Sequence, residues 1–147
     1  MSQNLPARAR VVIVGGGIIG CSIAYHLTKL GVSDVLLIEK DQLTAGTTWH
    51  AAGLITSAGY HDDTSLWMAR YSRDLYARLE QETGHSTGFR PVGHLSVATS
   101  SERFETLIRE RDFQVGYGVP NEIISAKEVG ELFPLAKIDD IIGASYV

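Results

Sequence analysis

The chain is short of what several function classes require. Its single cysteine, Cys21, rules out an internal disulfide and fits a reducing compartment. Thirteen lysines and arginines against seventeen aspartates and glutamates leave a net charge of −4, with no basic run. The electrostatic footprint of a nucleic-acid binder is therefore missing, and no nucleic-acid partner is expected. Apolar runs fall far short of the ~20 residues that cross a bilayer, so no membrane partner is expected either. Repeats and low-complexity tracts are missing, and no convincing linker divides the chain. The first ten residues carry Arg8 and Arg10 but no apolar core and no cleavage site of a leader, so a cytoplasmic location is expected. What remains is the composition of a soluble globular chain, 44% apolar and 20% charged, long enough to bury a core.

Against that background one pattern stands out. An apolar run, Val11-Val12-Ile13-Val14, stops on Gly15-Gly16-Gly17-Ile18-Ile19-Gly20, and a second run, Val35-Leu36-Leu37-Ile38, closes on Glu39. Strand, glycine turn, helix, strand and acid in this order mark an adenine-dinucleotide site. Gly15 permits a sharp turn off the strand, where a Cβ is penalised if φ is positive. Gly17 lets backbone approach a pyrophosphate, and Gly20 lets the helix lie tight against the sheet. The helix N-terminus offers N–H groups and the positive end of its dipole to phosphates. Glu39, nineteen residues beyond Gly20, can accept from a ribose diol and repels a 2′-phosphate.

The rest of the chain reads more coarsely. Ile19, Ile23, Leu27 and Leu30 predict one apolar helix stripe, with Gly31 as its stop. The second strand is apolar without alternation, as a strand covered on both faces is. Residues 41–61 read as loop. Asp63 or Thr64 is expected to cap a helix to about Gln81, with Met68, Leu75 and Leu79 on one side and Gly84 beyond its end. A strand is expected within Phe89–Thr99, then a helix from about Ser101 with Phe104, Leu107 and Ile108 inward. Ser125-Ala126-Lys127-Glu128 reads as a capping box for a short helix ended by Pro134, and Ile141–Val147 as a last strand. The expected fold class is α/β. A Rossmann-like βαβ unit in residues 1–65 is expected to form the N-terminal part of a dinucleotide-binding domain. Residues 66–147 are expected to hold a connecting helix and the beginning of an α+β, antiparallel-sheet second domain. Two parallel strands do not complete a doubly wound sheet, so the chain reads as part of a longer protein.

After Glu39 come Lys40-Asp41-Gln42-Leu43-Thr44-Ala45-Gly46-Thr47-Thr48-Trp49-His50-Ala51-Ala52-Gly53-Leu54. Small and hydroxyl side chains at Gly46, Thr47 and Thr48 suit contact with a phosphate or a flat ring. This segment closely resembles the dimethylglycine and sarcosine dehydrogenase family, among the FAD-dependent amine oxidoreductases of the D-amino-acid oxidase type. Weaker resemblance continues through Glu82-Thr83-Gly84, Phe89, Gly93 and Leu132-Phe133-Pro134. The resemblance implies FAD as cofactor, bonded covalently through His50 to the 8α-methyl of the flavin. It implies that Ile18 and Ile19 give backbone to the pyrophosphate and that Glu39 with Lys40 holds the ribose. Gly46 to Leu54, including Thr47, Thr48, His50 and Gly53, would then run along the pyrophosphate towards the isoalloxazine. The implied reaction is oxidation of a small N-methyl amine by hydride transfer to flavin, giving an iminium that releases formaldehyde. Electrons pass to an electron-transfer flavoprotein or to oxygen. The family's substrate-side residues lie mostly beyond position 147, so no catalytic acid or base is assigned and activity of these 147 residues alone is doubted.

Plainer roles stand beside these. His50 is also readable as a loop histidine satisfying a carbonyl, and Thr47 and Thr48 as turn formers. His61-Asp62-Asp63 are consecutive without a second cluster at ligand spacing, which favours helix capping over a metal. His94 is read as structural, Trp49 and Trp67 as packing residues, and Glu105 with Arg109 as an i,i+4 pair on a solvated face. Two other functions compete. One is a nicotinamide-dependent dehydrogenase, disfavoured by the Thr-rich segment after Glu39. The other is a truncated or regulatory, non-catalytic flavoprotein-like module.

Overall fold

The computed structural model describes residues 6–147, and readings made on residues 1–5 lie outside it. The chain divides into two compact units, the first ending at Leu54 and the second starting at Ile55.

In the first unit, β1 (Val11–Val14) and β2 (Val35–Ile38) pair in parallel, Val11 opposite Val35 through Val14 opposite Ile38, with α1 (Ile18–Lys29) as the crossover. β-branched residues suit these strands. The helix ends in a full Schellman arrangement. Gly31 N–H donates to Thr28 O at 3.0 Å and Val32 N–H to Leu27 O at 2.9 Å, with Gly31 at φ +82°. The inward stripe of α1 differs from the expected one. Gly20 is buried and Ala24 and Leu27 are half-buried, whereas Ile19, Ile23 and Leu30 are exposed. A Cβ on Gly20 would stand 3.3 Å from Ile13 Cγ2, so the helix is turned about one residue, ~100°, to bring its glycine onto β1. Coverage of the sheet differs too. Ile13 is buried, but Val12 is 51% and Val14 85% exposed. In β2, the strand expected to be covered on both faces, Val35, Leu36 and Leu37 are half-buried and only Ile38 is exposed.

The second unit runs α2 (Asp63–Thr83), β3 (Leu95–Ala98), α3 (Ser101–Gly116), β4 (Glu122–Ile124), α4 (Ala126–Leu132) and β5 (Gly143–Tyr146). Its sheet has the order β3-β5-β4, antiparallel throughout. On one face α3 brings Phe104 against Gly143, where a Cβ would meet the ring at 2.4 Å. On the other face Ile124, Val129 of α4 and Ala144 form a core joined by Leu95, Ala136, Ile138, Ile141 and Tyr146. The cap of α2 is Asp62, not Asp63 or Thr64, because its Oδ1 accepts the Ser65 N–H at 2.8 Å. Leu75 faces inward as expected, but Met68 is 56% exposed and Leu66 and Ala69 are buried in its stead. The capping box at Ser125 and Glu128 is complete. Two strands are shorter than their patterns, and β4 has no counterpart in the sequence reading: with three residues it is too short to show alternation.

Candidate cofactor site

The glycine turn is built around the peptide of Gly16. Gly15 leaves β1 at φ +106°, and its N–H donates to Ile38 O at 2.8 Å, so the turn springs from the end of both strands. Gly16 N–H donates to Glu39 Oε2 at 2.7 Å. Gly16 O accepts the Thr44 N–H at 2.9 Å and faces the Cys21 Sγ at 3.4 Å. A Cβ on Gly16 would lie 2.5 Å from Leu43 Cδ2 and 3.1 Å from Glu39 Cβ. Gly16, Leu43 and Thr44 were missed in the sequence reading. The three-glycine run was the available signal for Gly16, and Thr44 gave none. Thr44 sits at φ +66°, a region that penalises a β-branched residue.

Gly17 is the N-cap of α1 and supplies no side-chain cap. Ile18 and Ile19 open the helix with exposed side chains. Gly20 is essential to the turn for a different reason than sheet packing alone: a Cβ there would fall 1.9 Å from Gly15 O. The N–H groups of a helix's first turn have no partner within the helix. That of Ile18 is taken by Thr48 Oγ1 at 3.0 Å, and no acidic residue stands in the first turn to neutralise the dipole.

Glu39 follows β2 directly. Its Oε1 accepts the Lys40 N–H at 2.7 Å and the Asp41 N–H at 3.1 Å, so three backbone N–H groups converge on one carboxylate. These bonds, foremost that of Gly16, hold its pKa below the ordinary glutamate range. Lys40 contributes its backbone N–H here, and its charge is the least of the causes.

Residues 46–51 form a tight turn: Trp49 N–H donates to Gly46 O at 3.1 Å, His50 N–H to Thr47 O at 3.1 Å and Ala51 N–H to Thr48 O at 3.3 Å. His50 is exposed, its Nδ1 3.0 Å from Gly46 O. Gly53, at φ +73°, and the exposed Leu54 close the unit beyond these contacts. The structure therefore gathers Gly15, Gly17, Ile18, Gly20, Glu39, Lys40 and Thr48 around one turn. Gly46, Thr47 and His50 follow on the segment that Thr48 anchors.

In the second unit His94 lies just outside β3, bonded through its backbone to Val147 in both directions at 2.9 and 3.0 Å. Its Nε2 is 3.1 Å from Ser96 Oγ. Glu105 and Arg109 pair at 3.7 Å. Among the described residues no group of three or more His, Cys, Asp or Glu is placed to hold a metal ion.

Residues 10–147 match the family model described as FAD dependent oxidoreductase. The mitochondrial pyruvate dehydrogenase phosphatase regulatory subunit of Mus musculus is 47% identical over 99% of this chain and 16% of its own length. The mitochondrial sarcosine dehydrogenase of Homo sapiens is 40% identical over 99% of this chain and 16% of its own. The crystal structure of L-proline dehydrogenase from P. horikoshii superposes with a TM-score of 0.89 at 32% identity, covering 97% of this chain and 37% of that one. The chain thus spans 16% of the length of the curated relatives named here. With the match running through the glycine turn, Glu39 and the Thr48 segment to Val147, the chain belongs to the FAD dependent oxidoreductase family.

Proposed function

We propose that this chain supplies the diphosphate- and ribose-holding part of an FAD-dependent oxidoreductase for small N-methyl amines of the sarcosine or dimethylglycine type. The residues fit that cofactor. A Cβ on Gly17 would stand 3.1 Å from Thr48 Oγ1, so its absence lets the Thr48 hydroxyl close on the helix N-terminus. The backbone N–H of Ile19 and the hydroxyls of Thr47 and Thr48, the last held in place by the Ile18 N–H, make a donor set for a diphosphate. Glu39, oriented by three N–H bonds, keeps one acceptor site, on Oε2, for a ribose hydroxyl. Lys40 lies beside it, and Gly46 through Gly53 and Leu54 continue towards the flavin ring, with His50 as its covalent tether. Bound there, FAD would supply a hydride acceptor for the carbon next to the amine nitrogen, so that hydrolysis of the oxidised amine would give formaldehyde. An electron-transfer flavoprotein or oxygen then takes the electrons. In this reading the βαβ unit starts the FAD-binding domain and the antiparallel sheet starts the substrate domain. The observation that carries it is the bond from Ile18 N–H to Thr48 Oγ1, which puts the Thr-rich segment at the helix N-terminus.

Binding of FAD to the purified protein, followed by fluorescence polarisation, tests the cofactor. Flavin fluorescence in a denaturing gel after acid treatment tests the tether. Retention in the wild type and loss in His50→Ala are expected. Complete wash-out from the wild type refutes the tether, and no FAD binding refutes the reading as a whole.

A second reading, a regulatory module without turnover, is favoured by the 47% identity to a protein named as a regulatory subunit. Formaldehyde release from sarcosine or dimethylglycine by the FAD-loaded full-length protein separates the two.

A further inference from the structure

Gly46 O receives two donors, the Trp49 N–H at 3.1 Å and the His50 ring at Nδ1, 3.0 Å away. A carbonyl oxygen only accepts, so Nδ1 carries the hydrogen, and in the neutral ring the lone pair belongs to Nε2. We propose that the Gly46 carbonyl is a positioning group that holds His50 as the Nδ1–H tautomer and makes Nε2 its nucleophilic atom. This rests on the reading of His50 as the flavin tether.

The backbone, not the imidazole, sets the direction of that oxygen. The turn through Trp49, His50 and Ala51 places residue 50 four positions after Gly46, with the ring folded back over the turn. The Trp49 N–H already satisfies the carbonyl, so the His50 bond is not there to rescue a stranded acceptor. It uses the oxygen's second lone pair. The turn is itself anchored at two points, by Thr44 N–H on Gly16 O at 2.9 Å and by Ile18 N–H on Thr48 Oγ1 at 3.0 Å. The tautomer and the ring's placement relative to the glycine turn are thus set together.

His26 offers an internal comparison. Its Nδ1 meets the carbonyl four residues back, Ser22 O, at 2.7 Å, but Ser22 Oγ also approaches at 3.3 Å. Ser22 O only accepts, so this Nδ1 carries its hydrogen too, with Ser22 Oγ as a second acceptor, and the same back-bond fixes the same tautomer.

The test labels histidine with ¹⁵N in the whole chain and reads the ring nitrogens by multiple-bond NMR, with His50→Gln assigning the signals. At a pH where the ring is neutral, His50 should show a protonated Nδ1 and an unprotonated Nε2, the reverse of the tautomer that dominates in free histidine. An Nε2–H ring, or the averaged mixture of free histidine, overturns the proposal. Alkylation with iodoacetamide, mapped by peptide mass spectrometry, gives a second readout that fold stability does not move. The Nε2 product at His50 should exceed the Nδ1 product several-fold more than it does in free histidine. An unshifted ratio overturns the proposal. If FAD does not bind while the tautomer is as stated, the tether reading fails and the positioning role stands. A tether mapped to Nδ1 leaves that reading intact and sinks this inference.

Discussion

Thr48 Oγ1 accepts the backbone N–H of Ile18 at 3.0 Å across thirty residues of sequence. A side chain from the loop after β2 therefore does what Gly17, the N-cap of α1, has no atoms to do. It satisfies one of the helix's unpaired donors and brings its own segment to the dipole's positive end.

Thr48→Val keeps the shape and β-branching of the side chain but removes the acceptor. It should destabilise the first unit by about 1 kcal/mol, the scale of a lost helix cap. Thr48→Ser should retain most of the stability. Chemical denaturation with a far-ultraviolet readout checks both, and equal midpoints for Val and wild type would show that the bond contributes nothing. The same substitution should weaken FAD binding, because it takes a donor from the diphosphate set.

Glu39 gives a prediction in pH. Its folded-state pKa is depressed, first by the Gly16 N–H and then by those of Asp41 and Lys40. The stability it contributes is complete above the ordinary glutamate range and is lost as pH falls through its lowered value. Asp62, Glu102 and Glu128 are lowered as well, each chiefly by backbone N–H bonds, so the acid limb of the stability curve is shared. The informative quantity is the difference between wild type and Glu39→Gln. It should be largest near neutral pH and shrink towards acid, read from urea midpoints at several pH values. A pH-independent difference would mean that the ionised carboxylate is not what the three N–H groups hold.

Gly20 has no room to change. A Cβ would stand 1.9 Å from Gly15 O and 3.1 Å from Gly15 C, both backbone atoms that cannot swing away. Gly20→Ala should therefore cost about 2–3 kcal/mol or more by overpacking, despite alanine's better helix propensity. Gly46→Ala is the contrast, since nothing lies within 4 Å of its Cβ position. Its midpoint should stay near that of the wild type. A tolerant Gly20→Ala would contradict the close approach of helix and turn.

What the sequence made legible was local. The glycine turn, the strand ending at Glu39, the Gly31 stop and the capping box of Ser125 each depend on residues within a few positions of one another, with chemistry that admits few conformations. What it hid depends on tertiary contact. The stripe of α1 was misread because Gly20, lacking a side chain, carries no hydrophobic signal, yet it is the residue that the turn draws inward. Met68 counted as core by spacing, while α2 buries Leu66 and Ala69. The site was legible as a set of residue types. The Gly16 peptide as its centre was not, because Glu39, Thr44 and Gly16 meet only once the chain is folded.

The buried polar chain in the second unit supplies the remaining prediction. Asn121 Nδ2–H donates to Gln114 Oε1 at 2.8 Å, and its Oδ1 accepts the Ser145 Oγ–H at 2.8 Å. All three residues are buried, so Asn121 joins the end of α3 to β5 through a side chain with both a donor and an acceptor. Asn121→Leu strands Gln114 and Ser145 together and should cost about 3 kcal/mol, since each orphaned group costs on the order of 1–3 kcal/mol. Adding Gln114→Met removes one of the stranded groups, so the double variant should be less destabilised than the sum of the singles. Urea unfolding of the four proteins closes the cycle. Strict additivity would show that Asn121 and Gln114 contribute independently, and that the buried chain is two separate contacts rather than one connected support for the sheet.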